Sequence, residues 1–116
     1  MYMQNQGFKE SDWKLFRKKI TDWQENYMDR LNKEYIELLS GDGNPSKKFW
    51  ALDERLKEDK KCKGVQIHMS RSDMIFNILD LLREGAVTQD DLNDFSDELK
   101  NTIKALTDRN FLSYDE

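Results

Sequence analysis

One histidine and one cysteine, His68 and Cys62, are the chain's whole stock of soft metal ligands. A structural zinc site draws four ligands, mostly from these two residue types, and a catalytic site draws three. Two residues fill neither set. A Ser–His–Asp or Cys–His arrangement would have to run through His68, and no residue near it in sequence has the pattern of an activated nucleophile. Carboxylates are plentiful, 23 in all, and paired carboxylates can do acid–base work. Here they fall on the polar faces of amphipathic helices, where they are solvated. No Walker loop, G-x-G-x-x-G or EF-hand loop is present, and Gly41-Asp42-Gly43-Asn44 does not meet the calcium-loop pattern. The chain is therefore read as a non-enzyme with no metal and no cofactor.

The remaining chemistry is charge. The net charge of −4 is unevenly spread: residues 47–72 hold eight Lys/Arg against four Asp/Glu, and residues 73–116 hold four against eleven. The basic stretch gathers Lys47, Lys57, Lys60, Lys61, Lys63 and Arg71. It reads either as an anion-binding patch or as lysines complementing a helix C-terminus. In the acidic stretch, Asp90, Asp94, Asp97 and Glu98 share one face of a fourth helix, opposite Leu92, Phe95 and Leu99, and could engage a basic partner. The helix dipole accounts for acids in the first turn, but Asp97 and Glu98 lie beyond the first turn of a helix that starts near Asp90. Trp50 sits off its helix's apolar stripe on a face with Lys57 and Lys61. It reads as a partner anchor or, more simply, as part of a broad core face.

The elements that position these residues are helical. Five glycines and one proline leave room for few turns, and 13 aromatics in 116 residues argue against disorder. Trp13, Phe16, Ile20, Trp23, Tyr27, Leu31, Tyr35 and Leu38 recur at steps of three and four, one stripe of a long first helix capped by Ser11, with Asp12 favouring its dipole. A helix over 12–39 would be roughly 42 Å long, more than the ~30 Å of a small domain. It must kink, or part of it must pack on something outside the domain. Pro45 opens a second helix with Phe49, Leu52 and Leu56 inward. Val65–Met69 alternates with period two, a strand-like connector with no second strand to pair with. Ser70–Asp73 caps a third helix with Met74, Ile75, Ile78, Leu79, Leu81 and Leu82 inward, and Thr88–Asp91 caps the fourth, with Leu92, Phe95, Leu99, Ile103 and Leu106.

The expected fold is an all-α, four-helix domain over residues 11–109, with a polar lead-in at 1–10 and a tail at 110–116. No apolar run approaches the ~20 residues of a membrane span, so no membrane partner is expected. A lone cysteine fits a reducing, cytoplasmic compartment. The function read from these features is a helical protein-interaction module (adaptor, regulator or inhibitor) that binds a protein partner by surface contacts. Homodimerisation through helix one or the connector is part of that expectation.

Residues 65–106 also run strand-like segment, capped helix, turn, capped helix. In outline this resembles the ribbon-helix-helix family of DNA-binding regulators. The resemblance implies a dimer in which Gln66, His68 and Ser70 face DNA while Val65, Ile67 and Met69 face the core. It covers about a third of the chain. The sequence departs from the family in its acidic fourth helix and in having no Arg or Lys on the ribbon's polar face.

Overall fold

The computed structural model describes the backbone of residues 8–115 and the side chains of residues 8–109. Four α-helices follow in order: α1 Glu10–Ser40, α2 Pro45–Asp59, α3 Met74–Arg83 and α4 Asp97–Asp115, with a 3-10 turn at Gln89–Leu92 between the last two. There is no strand among the described residues. The all-α, four-helix class expected from the periodicity is the one observed. The Val65–Met69 stretch is an unpaired connector whose alternation is nonetheless real: Val65, Ile67 and Met69 are half-buried, while Gln66 and His68 are exposed.

The core explains the first helix's length. Trp13, Phe16, Ile20 and Trp23, all from the first half of α1, pack with Ile78 and Leu81 of α3, Leu92 of the 3-10 turn, and Phe95, Leu99 and Ile103 around α4. Trp23 stacks on Phe95 at 6.2 Å between centroids. α1 does not kink. Its second half runs past this core: Tyr27 and Arg30 still meet Gly64 and Gly85, and beyond them the helix pairs with α2, forming a projecting hairpin, the arm. The radius of gyration is 17.1 Å, against about 13 Å for a compact chain of this length. α2 contributes no fully buried residue, which corrects the inward stripe expected for it. Phe49 is 62% exposed and Leu56 37%. Once α2 pairs with α1 away from the core, only one edge of it is covered.

Three helix starts also differ from expectation. α1 is capped by Lys9 rather than Ser11. The Ser70–Asp73 signature forms a turn in which the Asp73 N–H donates to Ser70 Oγ at 3.2 Å, and α3 begins after it. Thr88 and Asp91 form their capping box, with the Thr88 N–H donating to Asp91 Oδ2 at 2.7 Å, but the helix they start is the short 3-10 turn. α4 starts separately, at Ser96. The Ser96 hydroxyl accepts the Leu99 N–H at 3.1 Å, as an N-cap does. Buried Asp12 in turn accepts both the Ser96 N–H (2.9 Å) and its hydroxyl (2.6 Å). The other buried polar residue, Asn77, donates its side-chain N–H to the His68 carbonyl at 3.0 Å and so fixes the connector against α3.

Candidate functional site

The break between the 3-10 turn and α4 dissolves the expected acidic face. Asp90 lies on the 3-10 turn, Asp94 in the loop after it, and Asp97 and Glu98 in the first turn of α4. All four are exposed. Asp94 faces Lys19 at 3.8 Å and Asp97 faces Lys100 at 3.5 Å. Because α4 begins at Asp97, the helix dipole accounts for Asp97 and Glu98 directly. The basic stretch is similarly spoken for. Lys57 pairs with Asp53 at 3.1 Å, Lys61 with Glu58 at 3.2 Å, and Lys63 approaches Asp80 at 3.7 Å. Exposed pairs of this kind are worth little. Among the residues of the ribbon reading, Gln66 donates its side-chain amide to the Lys60 carbonyl, and Ser70 caps Asp73. No group of His, Cys, Asp and Glu residues with the makings of a metal site occurs among the described residues.

Trp50 is the sequence-predicted site residue that the structure singles out. The broad core face expected to cover it does not exist: Trp50 is 63% exposed and meets Phe49 edge to face, 5.0 Å between centroids at 87°. Ile36, at 63%, and Leu39 are exposed at the same end of the arm. Sequence reasoning passed over both because they lie off the α1 stripe. The available signal was their position, in the last turns of α1, across the Gly41–Asn44 turn from Phe49 and Trp50.

The arm is held firmly at its base. Gly64 passes so close to the Tyr27 ring that a Cβ there would lie 2.3 Å from Cδ2. The Lys63 and Gly64 N–H groups both donate to the Glu84 carboxylate, at 2.9 and 3.1 Å, and Gln24 donates to the Lys63 carbonyl at 2.9 Å. Burial, with the Cys62 thiol beside it, pushes the Tyr27 phenol upward. Farther out, the Tyr35 hydroxyl donates to Asp59 Oδ2 at 2.6 Å, and Arg55 reaches Glu34 at 2.6 Å and lies over the Tyr35 ring. Burial and the Asp59 hydrogen bond push the Tyr35 phenol up to about 12.

These contacts leave the two flanks of the arm chemically unlike. Glu34, Glu37, Glu54 and Glu58 line one flank together with Arg55. The other holds a mostly apolar cleft of about 160 Å³ between Met28, Leu31, Tyr35, Leu56 and Val65, with Asn32, Asp59 and Lys60 also in its lining. Met28, Asn32, Tyr35 and Leu39 are spaced four, three and four residues apart, and so are Phe49, Asp53, Leu56 and Lys60. Each set therefore forms one column along its helix. Leu39 and Phe49 thus extend the cleft's flank to the tip of the arm. A second groove, about 190 Å³, lies between the starts of α1 and α3. The bidentate Arg71–Glu10 pair rims it, with the Arg71 guanidinium over the Trp13 ring.

Compared with known proteins, the chain shows no significant match to any family model, curated protein or solved structure. No described helix is long and apolar enough to cross a membrane.

Proposed function

We propose that the chain is a helical protein-interaction module whose contact surface is the apolar flank and tip of the α1–α2 arm. The observation that carries this reading is the joint exposure of Phe49, Trp50, Ile36 and Leu39 on an arm that the chain's own core does not use. Large apolar side chains grouped at the end of a rigid element mark a contact site, whereas single exposed ones do not. The arm's fixed base keeps that end in one place, which lowers the ordering cost of binding. This reading leaves the acidic residues Asp90, Asp94, Asp97 and Glu98 outside the contact surface and assigns Lys57 and Lys61 to its rim.

Site-specific photo-cross-linking in native host cells tests the reading. A photoreactive phenylalanine replaces Phe49 in one sample and Asp97 in another, and adducts are identified by mass spectrometry. Adducts at position 49 and none at 97 are expected. No adduct at 49, or the same adduct at both positions, overturns the reading.

A further inference from the structure

The apolar flank carries both a projecting ring and a hollow of matching size. Phe49 stands exposed at the tip, and the cleft lies near the other end of α2, between Leu56, Val65 and the facing column of α1. From Phe49 to Lys60 is roughly 16 Å along the helix axis. A cavity of ~150 Å³ accepts a benzene ring, so the cleft's volume of about 160 Å³ suits one phenylalanine side chain. A knob and a hole on one face cannot meet within one molecule. They can meet twice between two copies related by a two-fold axis, the geometry of an isologous interface.

We infer that the arm's apolar flank is the interface of a homodimer. Two arms pair antiparallel, and the Phe49 ring of each copy enters the cleft of the other. This deepens the proposed function and rests on the same surface.

Charge supports a second copy over a different partner. The flank's rim mixes signs: Asp29 and Lys33 on α1, Asp53, Lys57 and Lys60 on α2. A rim of one sign would call for an oppositely charged partner, whereas a mixed rim complements itself. With α2 antiparallel to its copy and centred beside Leu56, Asp53 of each chain falls opposite Lys60 of the other. Lys60 makes no ion pair among the described residues. On α1, Asn32 takes a heptad position between Met28 and Tyr35, where a polar residue fixes the register of paired helices. The exposed parts of Leu39, Phe49 and Leu56, which lie in the two columns, amount to on the order of 300 Å² per copy. The flanking Asn32, Tyr35, Asp53 and Lys60, with the edges of Ile36 and Trp50, supply the remainder of the ~1,000 Å² that a specific interface requires.

The test is the mass of the purified full-length chain by sedimentation velocity over a wide concentration range. Twice the 13.9 kDa chain mass is expected. Phe49→Asp should raise the dimer dissociation constant at least about thirtyfold, the weight of one interface hot spot. Met28→Trp, which fills the cleft without adding charge, should do the same. Asp53→Lys should also weaken the dimer, and adding Lys60→Asp should restore it, a rescue that only the antiparallel register predicts. Far-UV circular dichroism checks that each variant remains folded. A wild-type chain that stays monomeric at every concentration overturns the inference, and so does a dimer indifferent to both Phe49→Asp and Met28→Trp. Cross-linking at position 49 separates the two failures: a monomer that still cross-links to another protein there refutes the homodimer and leaves the interaction surface standing.

Discussion

Asp12, in the first turn of α1, accepts two hydrogen bonds from Ser96, the residue that caps α4, across 84 positions of sequence. The carboxylate is only 2% exposed. It therefore adds a charge-assisted acceptor to the N-terminus of a second helix, where negative charge is favoured. One buried side chain thus fastens the start of α4 to the start of α1.

Removing it should be costly. Asp12→Ala leaves the Ser96 N–H and hydroxyl without their acceptor in a partly buried site and is expected to destabilise the fold by about 2–3 kcal/mol. Ser96→Ala should cost about 1–2 kcal/mol through the lost cap. The double variant should cost clearly less than the sum, because both changes break one network. Urea denaturation of the four proteins measures this, and additive losses would show that the pair is not coupled.

Gly64 has a steric rather than a conformational role. Gly64→Ala drives a methyl group into the Tyr27 ring and should cost about 1–3 kcal/mol. Tyr27→Leu should itself be destabilising, yet adding Gly64→Ala to it should cost little more. The same cycle of urea melts gives the coupling.

The tip of the arm should behave in the opposite way. Phe49→Ser with Trp50→Ser changes large residues that are mostly in water, and the monomer's stability should shift by no more than about 0.5 kcal/mol. Phe16→Ala, in the centre of the core, should cost about 3–5 kcal/mol. The melts are run at a concentration low enough to exclude association. A large loss from the tip variant would mean that these aromatics hold the fold together.

Tyr35 supplies a pH signature. Its phenol is held up to about 12 in the folded chain, against ~10 for a free tyrosine. The raised value means that the folded state favours the neutral phenol. Its contribution to stability is complete below pH 10 and is lost as pH rises from there through 12. Ultraviolet titration of tyrosinate should show late components from both Tyr35 and Tyr27, whose phenols are each pushed up, and only the Tyr35 component should disappear in Tyr35→Phe. In Asp59→Asn the Tyr35 component should move down, because the carboxylate both accepts the phenol's hydrogen bond and repels its anion.

The sequence was informative where burial follows helical period. Trp13, Phe16, Ile20 and Trp23 on α1, and Ile78, Leu79 and Leu81 on α3, are buried as their spacing implies. Period alone does not say what covers a stripe. Phe49 and Leu56 lie on a helix at least as amphipathic as α1, but α2 packs on α1 away from the core, so the stripe stays partly in water. The capping motif at Thr88 was legible as a helix start. How far that helix would run was set by Ser96 and Asp12, a pairing between opposite ends of the chain that no local pattern contains. The acidic face failed for the same reason: Asp90 and Asp97 share a face only if one helix carries both. The exposed tip was half visible, through Trp50 alone, because Ile36 and Leu39 become its neighbours only when the chain turns back at Gly43.

A core that joins α1 to the much later α3 and α4 also sets an order of events during synthesis. The arm needs only neighbouring segments and can form once α2 has left the ribosome. Trp13, Phe16 and Trp23 must wait for Leu99 and Ile103, which are made much later. Contacts of such long separation form slowly, and apolar surface left open in the meantime invites aggregation. The nascent chain therefore presents its most aromatic helix to the cell until α4 has been made, and this interval is where chaperone dependence should concentrate.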